Sequence, residues 1–151
     1  MNNVDKNLCK VYFYLPVHWH SGASESVWAE KLGEKNTFKI RNVPFYIRGI
    51  GLDDVVATVK ENELNIFHKV VKPSGHSTYR IFLLPEITNS EFIKFWSPLE
   101  ILGCTYEKAD ERLYAIDVPP NTDIFAVYKQ LEEGEDKKIW EFEEGHCGHP
   151  V

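Results

Sequence analysis

Cysteine is scarce in this chain and never closely paired. Cys9, Cys104 and Cys147 stand far apart or alone, with no CxxC among them. An odd count without such a pair argues against a disulfide framework. Positive charge is also short. The formal net charge is −6, so the chain lacks the basic footprint that a nucleic-acid binder offers to phosphate. No apolar run approaches membrane-spanning length, and Met1 to Leu8 is polar with no apolar signal core. A serine nucleophile elbow of the form G-x-S-x-G is missing too. Together these absences lead to the expectation of a cytoplasmic, reduced protein without nucleic-acid or membrane partners, cofactor, metal or recognisable catalytic residues.

What is present is ordinary for a folded protein. Of the 151 residues, 43% are hydrophobic and 26% charged, which suits one domain or two small units sharing a core. Lys10 to Pro16 is short and rich in aromatic and branched residues, hence a strand. Residues 25–71 then read as about four short strands. Glu25 to Leu32 and Thr37 to Val43 form a hairpin around Gly33–Asn36, and Asp54 to Lys60 and Leu64 to Val71 form another around Glu61–Glu63. Short strands at this spacing predict a small SH3-like β-barrel unit over residues 10–73.

Pro73-Ser74-Gly75 marks a change of pattern. From His76 to Glu143 the order is strand, helix, strand, strand, helix, strand, which predicts a ferredoxin-like βαββαβ unit over 74–144. Thr88 and Glu91 are spaced as a capping box for the first helix. Ser97-Pro98 predicts that this helix is kinked or in two pieces, ending near Gly103. Asn121 or Thr122 is the expected cap of the second helix, with Ile124, Val127, Tyr128 and Leu131 as its buried face and Gly134 as its stop. Ile93 is expected in the core with Val127 and Leu131. Residues 145–151 read as a loose tail. The fold class is thus α+β, the barrel-like unit packed on the ferredoxin-like unit as one compact body.

Several stretches combine into a resemblance: Glu25-Ser26-Val27-Trp28-Ala29-Glu30, Asn42-Val43-Pro44-Phe45-Tyr46, Asp54-Val55-Val56, Ser74-Gly75-His76-Ser77-Thr78-Tyr79-Arg80, Asp117-Val118-Pro119-Pro120 and Trp140-Glu141. With these the chain resembles a bacterial family known as domain of unknown function 4265, over residues 24–144. The Ser-Gly-His-x-Thr-x-Arg stretch is the most specific part. The resemblance implies a relationship and no activity.

On a strand starting near His76, the side chains of His76, Thr78 and Arg80 share one face. A histidine and an arginine so placed could clamp a carboxylate or phosphate. With Asp54 they outline a pocket for a small hydrolase or transferase. The plainer reading makes Gly75 a tight turn, lets Ser74 and Ser77 bond local backbone, and pairs Arg80 with an acid such as Glu25 or Glu30. Asp54 would then cap a turn. A Ser–His–Asp triad from Ser74 or Ser77, His76 and Asp54 lacks an oxyanion hole and an elbow. His18 and His20, with His146-Cys147-Gly148-His149, could supply zinc ligands, yet they lie in a loop and the tail, so no stoichiometric metal is expected. Most of Tyr12, Tyr14, Trp28, Tyr46, Trp96 and Trp140 should be core, with Trp19 exposed in its loop.

Charge supplies the remaining clue. Glu132, Glu133, Glu135, Asp136, Glu141, Glu143 and Glu144 crowd the C-terminal fifth, opposed there by Lys137 and Lys138. A solvated face is one reading. The other is an acidic surface that steers a basic protein partner, with Trp19, Glu132, Glu133, Glu135 and Asp136 as contacts. By analogy of size and charge, such a non-enzymatic binding protein could be an immunity protein that neutralises a toxin domain.

Overall fold

Alternation of apolar and polar side chains sets the first sheet. The computed structural model describes residues 7–16 and 23–151. Strands β1 (Leu8–Tyr14), β2 (Ser24–Lys31), β3 (Thr37–Ile40), β4 (Val55–Glu61) and β5 (Leu64–Lys72) pair in that order, each antiparallel to the next. A short parallel pairing of β1 with β5, Val11 beside Asn65 and Tyr12 beside Ile66, closes the ring. Along β2, Val27 and Ala29 turn inward and Trp28 outward, as a period of two requires. Phe13, Phe38, Ile40 and Val56 help to fill the interior. β4 carries register shifts at Val55/Val56 and Ala57/Thr58. Such irregularities bend a strand and sharpen its twist, which helps so few strands to close.

The second sheet follows Pro73-Ser74-Gly75. β6 (Ser77–Leu83), α1 (Asn89–Leu102), β7 (Thr105–Lys108), β8 (Leu113–Val118), α2 (Ile124–Asp136) and β9 (Trp140–His146) succeed one another. Their four strands form an antiparallel sheet ordered β7-β8-β6-β9. Phe92, Trp96 and Leu99 of α1 and Ile124, Val127 and Leu131 of α2 pack on Tyr79, Ile81, Ile116 and Trp140 in one buried cluster. The protein is therefore a mixed α+β fold with two sheets and two helices among the described residues.

The start of α1 is as its sequence predicts. Thr88 accepts from the Glu91 amide while the Glu91 carboxylate returns to the Thr88 amide, and Gly103 ends the helix at φ 112°. Other expectations need correction. α1 runs unbroken through Pro98, and the Ser97 hydroxyl donates to the Ile93 carbonyl at 2.7 Å. Asp123, rather than Asn121 or Thr122, caps α2 by accepting from the amides of Phe125 and Ala126. Ile93 is half exposed and so is Tyr128, which lies at the edge of the stripe where Phe142 meets its ring. Tyr14, Trp28 and Tyr46 are likewise exposed. The tail is tied down: Gly145 and His146 belong to β9, and His149 is buried.

Gly134 does not stop α2, which continues to Asp136. Its role is spatial. A Cβ at Gly134 would lie 2.2 Å from Cε2 of Trp140, whose Nε1 donates to the Leu131 carbonyl at 2.9 Å. Glycine to alanine in a helix ordinarily stabilises by about 1 kcal/mol. Here the clash reverses the sign, and Gly134→Ala should cost about 1–3 kcal/mol. Urea unfolding measures it; an unchanged or raised midpoint would show that the indole has room to move.

Candidate functional site

The residues singled out between Ser74 and Arg80 meet at the junction of the two sheets. β6 is central in its sheet, paired on both edges, and all of its residues except Phe82 are buried. Tyr79 and Ile81 face the helices. Thr78 and Arg80 face the 43–54 loop of the barrel, where the Thr78 hydroxyl donates to the Ile50 carbonyl at 3.1 Å.

Arg80 is completely buried. Its Nε and Nη2 both donate to the Pro44 carbonyl at 3.3 Å, and Nη2 also donates to the Ile47 carbonyl. Nη1 lies 3.6 Å from Glu143 Oε1. Burial pushes the guanidinium pKa down, while the charges of Glu143 and Glu25 push it back up. The same loop is held from its other side. Glu25 accepts from the amides of Phe45 at 2.6 Å, Tyr46 at 3.1 Å and Ile47 at 2.8 Å. Close packing also needs Gly145, where a Cβ would stand 3.0 Å from Cζ of Arg80.

His76 lies at the edge of this junction. Its Nδ1 is 2.7 Å from Asp117 Oδ1, and its Nε2 is 3.8 Å from Asp53 Oδ2. Asp53 in turn is paired with Arg41. Burial raises the Asp117 pKa, and the hydrogen bond from His76 opposes that rise. Asp54 does not reach His76. It is buried, and its two oxygens accept from the amides of Gly51 and Ser74, each at 2.8 Å. The Ser74 hydroxyl donates to the Leu52 carbonyl at 2.6 Å. Ser77 Oγ is 2.6 Å from His149 Nδ1 and accepts from the Gly148 amide, and His149 Nε2 is 2.8 Å from the Pro119 carbonyl. With Nε2–H donating to that carbonyl, Nδ1 is the acceptor for the Ser77 hydroxyl.

Asp54, His76 and Arg80 are thus neighbours in the junction, each engaged with protein groups. His76 is oriented by a carboxylate, as a general base would be, but Asp53 faces its free nitrogen. Neither serine bonds its ring; Ser74 Oγ accepts instead from the His76 backbone amide at 3.1 Å. Of the groups that complete these contacts, Asp117 was not singled out as a site residue in sequence, and His149 was considered only as a zinc ligand. Asp117 had a signal: it is the one charged residue in the strand Leu113–Val118, all of which is buried.

The acidic residues fall on exposed surface. Glu132, Glu133, Glu135 and Asp136 are exposed on the last turns of α2. On the same helix Phe125 is 67% exposed and Tyr128 46% exposed. Phe125, Tyr128, Glu132 and Asp136 recur at three- and four-residue spacing and so share one side of the helix, with Lys129 beside them. Trp19, with His18 and His20, lies outside the described residues. Among the described residues no cluster of three or more potential metal ligands occurs, and no helix is long and apolar enough to cross a membrane.

A family model described as Domain of unknown function (DUF4265) matches residues 25–142, from β2 into β9. The chain belongs to this family. No curated protein matches it. A solved structure titled as the novel crystal structure of a hypothetical protein from Neisseria gonorrhoeae is similar, with a TM-score of 0.76 and 19% identity over 93% of this chain and 96% of that one. At this identity the likeness shows the fold alone. The family match runs from β2 into β9, so it takes in residues of both sheets and both Glu25 and Arg80 at their junction.

Two measurements probe the junction. Arg80 and Glu25 hold the same barrel loop against the second sheet, so calorimetry should record one unfolding transition; two separated transitions would show that each sheet unfolds alone. The second concerns Asp117. Its raised pKa means that the native state holds the proton more firmly than the unfolded chain. The resulting stability is fully present below the ordinary value of 3.8 and is lost as pH rises through the raised value. In urea unfolding across the acid range, the wild type should therefore lose stability relative to Asp117→Asn as pH climbs through that window. A difference that does not vary with pH would show that burial and the His76 bond cancel.

Proposed function

We propose that the protein is a non-enzymatic binding module that engages a basic protein through the outer side of α2. The observation that carries this reading is the placement of two exposed aromatic rings, Phe125 and Tyr128, in line with Glu132, Glu135 and Asp136. Aromatic anchors supply the desolvated centre of an interface, and surrounding carboxylates steer a cationic partner toward it. Holding those carboxylates together costs self-repulsion, which a basic partner converts into attraction. Among basic partners, a toxin domain is the class suggested by the size and acidity of the chain, which makes the module an immunity protein. The three cysteines are free among the described residues, in keeping with a reducing, cytoplasmic setting.

The finer description of the scaffold belongs to the same reading. Its C-terminal half is ferredoxin-like, supported by the strand order β7-β8-β6-β9 with helices after the first and third of those strands in the chain. The closed ring is SH3-like, supported by its five short strands. A hydrolase or transferase site at Asp54, His76 and Arg80 is the less favoured reading, because those side chains are already bonded to protein groups.

Capture from host cells tests the module with four baits: wild type, Phe125→Ala with Tyr128→Ala, charge reversal at Glu132, Glu133, Glu135 and Asp136, and His76→Ala. The expected result is one basic protein held by wild type and by His76→Ala, and lost with the aromatic pair. In binding kinetics the charge reversals should chiefly lower the on-rate and the aromatic truncations raise the off-rate. Added salt should slow association, because exposed charges are screened beyond about 8 Å at physiological ionic strength. Binding indifferent to salt, to the reversals and to the aromatic pair would overturn the reading.

A further inference from the structure

We draw no further inference here: the strongest candidate, the open cavity of about 580 Å³ between the barrel loop and the β7–β8 turn, which the exposed rings of Tyr46 and Phe82 line together with Asp110, Glu111 and Arg112, carries nothing because nothing in the structure shows what covers it.

Discussion

The junction of the two sheets depends on one buried guanidinium. Arg80 sits where β6 meets the barrel loop and is bonded to the carbonyls of Pro44 and Ile47. Those carbonyls have no strand partner, and left dry they would be costly. Glu25 treats the amides of the same loop, those of Phe45, Tyr46 and Ile47. The two charged side chains therefore replace a missing stretch of backbone ladder. A buried charge is tolerated only when paired and hydrogen-bonded. Glu143 provides the pairing at 3.6 Å while Nη1 remains without a hydrogen bond. Removing either member of the clamp would strand the other, so its value lies in fixing how the barrel loop meets the sheet.

Much of this architecture was legible because periodicity reports burial directly. The short alternating segments marked the strands of the ring, although Trp28, expected in the core, faces outward between Val27 and Ala29, and Thr88 with Glu91 marked the start of α1 from local chemistry alone. Errors arose where a local rule met a tertiary demand. Gly134 looks like a helix terminator, but it leaves space for the Trp140 indole. Pro98 looks like a break, but α1 keeps its course because Trp96 and Leu99 are packed on both sides of it in chain order. Tyr128 falls on the helical stripe by spacing, yet the sheet beneath is not wide enough to cover it, and its ring rests on Phe142 instead. Spacing tells which side chains share a face, not how far the opposing surface extends.

The site residues show the same division. Asp54 was legible as a turn cap, since an aspartate next to a glycine-containing turn bonds nearby amides. The partner of His76 was not, because Asp117 is 41 residues away and only the pairing of β6 with β8 brings it there. His149 was considered only as a zinc ligand in a loose tail, and its actual partner was hidden for a similar reason. A histidine in a glycine-containing tail looks free, but β9 delivers it to Ser77, 72 residues earlier. A sequence shows which residues have chemistry to offer; the topology decides which of that chemistry is consumed internally.

That accounting bears on where function resides. Asp54, Ser74, Ser77 and Arg80 are all reactive residue types, and each is bonded to backbone or to another side chain. A group whose hydrogen-bonding capacity is satisfied inside the protein has to break a contact before it can hold a ligand, and in the dry junction that contact is expensive to lose. The outer side of α2 differs in kind. There, carboxylates and aromatic rings face solvent, and the hydrogen-bonding and packing capacity that the junction has already used is still unspent.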